Sequence, residues 1–311
     1  MRHRKRFLIY GVILLLLILL PLTTTRTDLL TWFIFTLMYI TLSQSWNIIG
    51  GYTGQQNLGH AAFFGLGALS TRYIWLSGIP LPLAFIAGAL VATIFGTLIG
   101  FPAFRLKGIY FVIGTLVLAE ILRIIFDTLL PRAMVLPSKL LANYSLIPRY
   151  YVSLVIAILS IATVYVIGRS RLGLEMISIR EDEEAAEALG VNTQKYKLVA
   201  FLISTFMAGL AGGIYAYYSS AAQPGYLFES VWTFDAVIIV FVGGVGTMIG
   251  PIVGSVFFVL LQRLLSLYLP GGIHVAVFGA LFIIVVLFLP GGLIELMTKL
   301  RKKIPKREWS S

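Results

Sequence analysis

Long apolar stretches separated by short polar segments dominate this chain. Windows of about 20 apolar residues are typical of transmembrane α-helices. Ten such windows occur, at residues 7–22, 28–49, 58–77, 81–101, 109–130, 149–168, 198–219, 233–249, 252–269 and 273–290. The pattern predicts an all-α polytopic membrane protein with about ten transmembrane helices in a single transmembrane domain over residues 1–311. Because 58–77 and 233–269 are rich in glycine, we expect some of these helices to be broken or re-entrant.

The one long polar interruption runs from Gly168 to Lys197 and holds six acids and five bases. Ser178 followed three residues later by Glu181 fits a capping box and predicts the start of a helix. Gly190 is placed to end that helix, and Asn192 to cap the next one. The predicted helix between them has little apolar surface. Docking into a groove of a partner protein would explain why such a helix is present.

Composition places the chain in a membrane, since 59% of its residues are hydrophobic, only 12% are charged and the mean hydropathy is +0.93. Soluble proteins carry about 25% charged residues. The net charge of +11 would suggest a nucleic-acid partner in a soluble chain. Here it is better explained by orientation in the bilayer and by anionic lipid, with no nucleic acid involved. The absence of cysteine excludes disulfides and thiolate metal sites.

The distribution of Lys and Arg predicts the orientation. With the N-terminus inside, 17 of the 24 basic residues fall in cytoplasmic segments and four in outer segments. The cytoplasmic segments are then the two termini, the short loop at 105–107 and the polar loop 169–197. The basic tail 299–311 is expected to contact lipid headgroups. The basic start resembles a secretory signal, but no small-x-small cleavage site follows, so we expect a retained first span.

Two glycine-rich segments, 50–67 and 243–254, join consecutive apolar windows. Paired glycine interruptions indicate a transport pathway, and close packing of helices through small residues is the alternative. The polar residues of the first segment favour the pathway. The candidate pathway residues are Gly54, Gln55, Asn57, Gly59, His60, Gly243, Gly244 and Gly246. His60 has no second ligand at metal-binding spacing, so no metal site is predicted and a structural histidine is favoured.

Three intramembrane charges share one face of the window 109–130, at positions i, i+3 and i+7: Glu120, Arg123 and Asp127. Arg72, Arg263 and Asp235 lie towards the outer ends of other windows. Buried charges of this kind cost about 2.5–3.5 kcal/mol each on insertion scales. We interpret them as mutual salt bridges, with arginines extending to the outer interface, in preference to substrate contacts or a proton relay.

Motifs of other functional classes are missing. The sequence contains no G-x-x-x-x-G-K-[ST] phosphate loop, so we do not expect this chain to bind ATP in that way. A channel filter and a voltage sensor are also absent. No Ser/His/Asp set, paired acids or metal spacing supports a membrane enzyme.

Several segments together resemble the branched-chain amino-acid permease family of ABC importers, of the LivM type. They are Glu184-Ala185-Ala186 followed by Gly190, the surrounding run 179–190, 195–201, 54–65 and 243–251. The resemblance covers the chain from about Leu42 to Gly292. One departure is visible: the wider importer motif continues after the glycine to Ile-x-Leu-Pro, where this sequence has Ala200-Phe-Leu-Ile-Ser204.

The resemblance implies a permease subunit that moves Leu, Ile or Val inward by ATP-driven alternating access in a bacterial or archaeal inner membrane. It assigns ATPase coupling to Glu184, Ala185, Ala186 and Gly190, and no catalytic residue to this chain. The implied partners are a homologous second permease, an extracytoplasmic substrate-binding protein and two cytoplasmic ATP-binding subunits that hold ATP and Mg²⁺. Two alternatives are a urea or short-amide permease of the same family and an ion-coupled secondary transporter. The latter would need Glu120 and Asp127 as its ion site.

Overall fold

The computed structural model describes residues 2–23, 26–106, 108–130, 132, 134–268 and 291–296, and the single positions 273, 277, 279, 280 and 283. Most of these residues are helical, as the apolar windows predict. The predicted span at 273–290 lies largely outside the described residues. The basic tail 299–311 lies wholly outside them.

The elements follow the apolar windows closely. In chain order they are α1 (Arg2–Thr23), α2 (Thr27–Trp46), α3 (His60–Leu76), α4 (Leu81–Ala103), α5 (Ile109–Leu129), β1 (Met134–Val135), α6 (Ser138–Ala142), α7 (Leu146–Arg169), α8 (Arg171–Glu181), α9 (Glu183–Ala188), α10 (Thr193–Tyr218), β2 (Ala221–Ala222), α11 (Pro224–Leu227), α12 (Val231–Gly243) and α13 (Gly250–Tyr268). A helical turn at 292–296 follows.

Six helical segments within the described part of the chain are long and apolar enough to cross a membrane. They are Leu81–Ala103, Ile109–Leu129, Leu146–Arg169, Thr193–Tyr218, Pro224–Gly243 and Gly250–Tyr268. The structure is therefore that of a multi-pass helical membrane protein, and a total of ten spans stays a prediction.

The glycine-rich windows behave differently from each other. Window 58–77 forms one unbroken helix, α3, whereas the chain before it leaves α-helical geometry through a π-helical turn at Asn47–Tyr52. Window 233–269 is interrupted, because α12 ends at Gly243 and α13 begins at Gly250. The breaks thus lie at 47–59 and 244–249.

The most extensive packing joins α10 with α3 and α4. A Cβ on Gly67 would lie 2.3 Å from the Cα of Gly209, and one on Gly212 would lie 2.0 Å from the carbonyl oxygen of Phe64. Small residues allow the backbones of neighbouring helices to approach closely. The van der Waals contacts that result hold the helices together, since no hydrophobic driving force acts between helices in lipid. These glycines therefore belong to the packing core.

Helix α2 packs on α7 and also contacts α10, α12 and α13. Every residue from Leu37 to Trp46 is buried, so this half of the helix has no free face. The end of α2 is consequently held in a fixed position, and the glycine-rich turn begins there. In addition, the Tyr150 hydroxyl donates to the carbonyl oxygen of Leu17 at 2.7 Å and joins α1 to α7.

Arg72 forms no salt bridge among the described residues, in contrast to the prediction. The side chain is fully buried and donates to four carbonyl oxygens, those of Met134, Ala216, Ser219 and Ser220, at 2.7–3.0 Å. Backbone carbonyl groups at helix and strand ends can accept the hydrogen bonds of a buried guanidinium, so a carboxylate partner is not required.

A two-stranded antiparallel pairing forms beside this arginine, with Met134 opposite Ala222 and Val135 opposite Ala221. The all-α prediction omitted it, since two residues per strand leave no periodic signal in the sequence. Arg72 binds carbonyl groups of both connections and so joins α3 to the segments around β1 and β2.

Candidate functional site

The two glycine-rich segments meet in space. The Asn47 amide Nδ2 donates to the Thr247 carbonyl oxygen at 2.9 Å, and its Oδ1 accepts from the backbone N–H of Gly246 at 2.9 Å. One turn earlier, Gln44 Nε2 donates to the carbonyl oxygen of Met248 at 2.7 Å. The end of α2 therefore holds the backbone between α12 and α13. We call residues 50–54 together with 243–247 the glycine junction.

The polar loop reaches this junction through Arg180 at the end of α8. Its Nη1 donates to the carbonyl oxygen of Gly51 at 2.9 Å, and its Nε donates to Glu181 at 3.0 Å. A Cβ on Gly246 would lie 2.4 Å from Nη1 of Arg180, and one on Gly54 would lie 3.4 Å from its Cα. One side chain of the predicted cytoplasmic loop thus touches both glycine segments.

Glycine is favoured in the junction for two physical reasons. Gly54, Gly244 and Gly246 have φ of +72°, +129° and +70°, where residues with a Cβ are strained. Gly243 has an ordinary φ, but a Cβ there would lie 1.9 Å from the Gly250 carbonyl oxygen. Conformation and close packing therefore account for these residues whether or not they also line a pathway.

Tyr52 closes one side of the junction. Its ring is buried, and a Cβ on Gly168 would lie 3.1 Å from its hydroxyl oxygen. Burial raises the pKa of the Tyr52 hydroxyl, and the nearby Arg180 guanidinium acts in the opposite direction. The phenol is neutral at physiological pH, so Tyr52 adds no charge to the junction, and the charge of Arg180 is paired with Glu181.

The remaining candidates of the first segment surround the start of α3. Asn57 and His60 are fully buried, Gln55 is half-buried, and a Cβ on Gly59 would lie 2.3 Å from the Thr115 carbonyl oxygen. The His60 Nε2 lies 2.6 Å from the Ser45 hydroxyl oxygen. This geometry is that of a packed, hydrogen-bonded histidine.

Side chains satisfy the first backbone N–H groups around α3. Gly59 N–H donates to Asn57 Oδ1 at 2.8 Å, Leu58 N–H to Thr115 Oγ1 at 3.1 Å, and Ala61 N–H to Thr233 Oγ1 at 2.7 Å. Unpaired donors at this depth would cost several kcal/mol in lipid. The candidate pathway residues consequently fall into two groups, the glycine junction and this capped helix start.

The polar loop differs from its prediction at one point. Ser178 does not begin a helix. It lies within α8, which Ser170 caps, and its hydroxyl donates to the Glu175 carbonyl oxygen at 2.8 Å. Because the earlier cap starts the helix first, the N–H groups near Ser178 already have helical partners. The helix predicted as one piece is broken at Asp182.

Asp182 supplies the cap of the following short helix, α9, by accepting from Ala185 N–H at 3.0 Å. The other two predicted signals are confirmed. Gly190 has φ of +89° just after α9, and Asn192 caps α10 by accepting from Lys195 N–H at 3.0 Å. The loop is thus a chain of three helices whose ends are held by local hydrogen bonds.

Replacing Asn192 by alanine is expected to weaken the start of α10 by about 1 kcal/mol, the usual value of an N-cap. Backbone amides at 193–197 should then exchange with deuterium about fivefold faster, measured by mass spectrometry of the solubilised protein. Asn143→Ala is the control, since its side chain donates only to Lys139 at 3.3 Å in an exposed loop. Unchanged exchange at 193–197 would contradict the capping role.

The four predicted coupling residues lie on or next to α9. Glu184, Ala185 and Gly190 are exposed, whereas Ala186 is buried and anchors the helix. Leu189, which is 87% exposed, adds an apolar side chain to the outer face. The exposed side of α9 and its C-terminal end thus present an acid, small residues and the apolar side chain of Leu189. Such a surface can dock into a groove of a partner protein.

Two polar contacts join α9 to the start of α10. Lys197 forms an ion pair with Glu183, and the Thr193 hydroxyl donates to Glu187 Oε1 at 2.9 Å. The Lys197 side chain is only 7% exposed, whereas the Glu183 side chain is 33% exposed, so the pair is partly shielded from solvent. Force applied to α9 would be transmitted to α10 through these contacts and through the short turn at Gly190.

The charges on α5 are only partly as predicted. Glu120 and Arg123 form the expected salt bridge, with Nε of Arg123 2.9 and 3.0 Å from the two carboxylate oxygens. Asp127 is exposed and stands next to Gly225, where a Cβ would lie 2.4 Å from its Oδ1. The acid–base–acid row is therefore a pair and a separate acid. Arg263 forms no ion pair with a described acid and lies over the Trp32 ring at 5.2 Å.

Sequence reasoning missed the residues that connect the site. Arg180 entered only as an orientation charge, and Gln44 and Asn47 were not selected. Their signal was available, because two amides precede a Gly-Gly pair in an otherwise apolar window. Their partners lie about 200 positions away, however, so the contacts could not be assigned without the fold.

The fold and the site together define a multi-pass membrane protein in which a polar loop contacts two glycine interruptions. Residues 28–286 match a protein family described as the permease component of branched-chain amino acid transport systems. This match covers most of the chain. The protein therefore belongs to the branched-chain amino-acid permease family of ABC transporters.

Individual relatives agree with this assignment. The high-affinity branched-chain amino acid transport system permease protein LivM of Salmonella typhimurium LT2 is 28% identical over 310 residues, covering 86% of this chain and 70% of the relative. LivM of Escherichia coli K12 is 27% identical with the same coverage. The permease protein LivH of Escherichia coli K12 is 29% identical over 126 residues, 40% of each chain. These relatives are transport components. No solved structure matches the chain significantly.

Proposed function

We propose that this protein is a transmembrane subunit of an ABC importer that moves Leu, Ile or Val inward by ATP-driven alternating access. Membership of the family supports the substrate class. The observation that carries the mechanism is the contact of Arg180 with Gly51 and Gly246, since it links the coupling loop directly to both helix interruptions.

The proposed coupling starts at α9. An ATPase subunit would receive Glu184, Ala185 and Leu189 in a surface groove, and closure of the ATPase dimer would displace the helix. Its ion pair between Glu183 and Lys197 would carry the displacement into α10 as a rigid-body movement. Through α8, Arg180 would shift the glycine junction at the same time. The work would come from ATP bound elsewhere, and this chain would contribute binding and movement without catalysis.

The assembly follows from the same proposal. The importer would combine this chain, as one transmembrane domain over 1–311, with a homologous second permease and an extracytoplasmic binding protein. Two cytoplasmic ATP-binding subunits would hold ATP and Mg²⁺. The chain would lie in a bacterial or archaeal inner membrane with about ten spans, both termini and the loop 169–197 cytoplasmic, and the basic tail on anionic lipid.

The ion-coupled alternative receives less support. The coupling site predicted for it consists of Glu120 and Asp127, and the Glu120 carboxylate is occupied by Arg123. Asp127 is exposed and, within the described part of the chain, belongs to no group of three or more His, Asp or Glu residues that could hold a metal ion. A urea or short-amide permease shares every coupling feature, and transport assays separate it.

Glu184→Arg is expected to lower co-purification of the ATP-binding subunits at least about tenfold, because a charge reversal in a docked interface costs more than 1.4 kcal/mol. The measurement is a pull-down of the solubilised protein from its native membrane. Glu229→Arg is the matched control, since it makes the same charge change between α11 and α12, on the predicted opposite side.

Uptake of radiolabelled leucine and of urea by cells carrying either variant completes the test. We expect leucine uptake to fall with Glu184→Arg and to persist with Glu229→Arg. Purification without ATPases in all cases, with uptake intact, would overturn the importer proposal in favour of a carrier that works alone. Uptake of urea in place of leucine would overturn the substrate class only.

A further inference from the structure

Asp235 is a buried acid in the part of the chain that the structure describes. It lies one turn into α12, in a segment long and apolar enough to span a membrane, and only 9% of the residue is exposed. The Tyr39 hydroxyl donates to its Oδ2 at 2.7 Å. Among the described residues, no Lys, Arg or His forms an ion pair with it. Intramembrane acids are costly and usually face a cation or a substrate path.

Aromatic rings crowd the same place. Trp232 precedes Asp235 by one helical turn and therefore shares its face. The Trp232 ring centroid lies 4.5 Å from that of Phe64, 5.0 Å from Tyr215 and 6.2 Å from Tyr39. The faces of aromatic rings carry negative potential, so they stabilise cations and do not stabilise a carboxylate. The surroundings of Asp235 thus suit a positive charge that the described residues do not supply.

We propose that Asp235, Tyr39 and Trp232 form a binding site for the primary ammonium group of the transported amino acid. The inference rests on the proposed function and deepens it. An ammonium group offers three N–H donors. The free oxygen of Asp235 and the Tyr39 oxygen can accept two of them, and the Trp232 face stabilises the charge. The same rings provide apolar area for a branched side chain.

The position suits a substrate that enters from outside. The connection between α10 and α12 lies on the side that the Lys and Arg distribution predicts to be external. Asp235 is close to that end of α12. A metal cation is a poorer occupant, because hard cations take six or more oxygen ligands. In the described part of the chain, no three His, Cys, Asp or Glu residues come together around a common point.

Binding can be tested without transport. The full chain is labelled with 5-fluorotryptophan and placed in lipid nanodiscs, and its ¹⁹F resonances are recorded, with that of Trp232 assigned from a Trp232→Phe sample. The probe is 3-methylbutylammonium, and the matched neutral probe is 3-methylbutanol. We expect a saturable shift of the Trp232 resonance with the amine alone. It should be abolished by Asp235→Asn and retained by Asp127→Asn, which changes an exposed acid.

Several results would overturn the proposal. They are an equal shift with the alcohol, an equal shift with NaCl, which would indicate a sodium site, or a shift that survives Asp235→Asn. An asparagine can still accept from Tyr39, so the variant should fold, and its thermal unfolding checks this. If it does not fold, Tyr39→Phe serves instead. It keeps the carboxylate and the ring, and we expect the shift to need a higher amine concentration.

Transport separates this inference from the proposed function. In proteoliposomes holding the assembled transporter, Asp235→Asn should slow leucine uptake at least about tenfold, the effect of losing one charge-assisted hydrogen bond. Normal uptake by this variant would overturn the ammonium site and leave the importer intact. Failure of the wild-type assembly to take up leucine would instead overturn the proposed substrate, while the ¹⁹F titration would still decide whether the site binds an amine.

Discussion

Replacing Arg72 by leucine is expected to destabilise the folded chain by about 3 kcal/mol or more, because four carbonyl oxygens lose hydrogen bonds to a charged donor, each worth about 1.5–3 kcal/mol, while the cost of burying the charge is removed with it. The guanidinium donates to four carbonyl oxygens at 2.7–3.0 Å, and leucine can donate to none of them. Arg72→Lys should recover part of the loss, because an ammonium keeps the charge and three donors. The pairing of Met134 with Ala222 should open first, as its carbonyl group is one of the four.

Unfolding of the solubilised protein, followed by heat or denaturant, measures the change in stability. Hydrogen exchange at 134–136 and 220–222 reports the local opening. The matched control is Arg263→Leu, since that arginine is exposed and contacts the Trp32 ring without an ion pair. A cation–π contact at an exposed site is worth about 0.5–1 kcal/mol. Equal effects of the two substitutions would show that the four hydrogen bonds from Arg72 to backbone carbonyl oxygens do not stabilise the fold.

Gly246→Ala is expected to separate ATPase binding from transport. At φ of +70° an alanine costs about 1–2 kcal/mol. Its Cβ would also lie 2.4 Å from Nη1 of Arg180 and 2.9 Å from the Gly51 carbonyl oxygen. The guanidinium would have to move and would lose its charged hydrogen bond to Gly51, worth about 1.5–3 kcal/mol. Leucine uptake should therefore fall about tenfold or more, while α9 stays free to bind the ATPases.

Gly78→Ala is the control for backbone strain alone. Gly78 has φ of +91°, and nothing lies within 4 Å of its added Cβ. We expect only the strain cost of about 1–2 kcal/mol, with uptake unaffected. Pull-down of the ATP-binding subunits and uptake in proteoliposomes are the two measurements. Uptake unchanged in Gly246→Ala, or lost together with the ATPases, would argue against Arg180 and the junction as the link between loop and helices.

The parts of the structure that depend on short-range chemistry were predictable. Apolar windows located the helices because a chain in lipid must satisfy its backbone internally. Gly190 and Asn192 were assigned correctly, since helix ends need particular residue types within one turn. The helix start predicted at Ser178 was wrong, and this error also has a local cause. A better-placed cap at Ser170 had already started the helix, and two competing caps cannot be ranked from spacing alone.

Contacts between distant segments were not predictable. Arg72 and Arg263 have the same residue type and similar settings in apolar windows, yet one is enclosed by carbonyls and the other lies against a ring. Asn47 is hydrogen-bonded to Gly246, nearly 200 positions away in the sequence, and Asp235 to Tyr39 at a similar sequence separation. Nothing local marks either pair, because the alternation of apolar and polar residues carries no information about which helices become neighbours.

By itself, the amino-acid sequence determined that this protein is a helical membrane protein with a polar loop, glycine interruptions and the segments of its permease family. Those properties follow from hydropathy, local backbone preference and residue identity. Only the tertiary structure decided that Arg180 joins the loop to both interruptions and that Asp235 is buried among aromatic rings, with a hydrogen bond from Tyr39. The physical reason is that a side chain's partner is set by packing, which brings together groups that the chain separates.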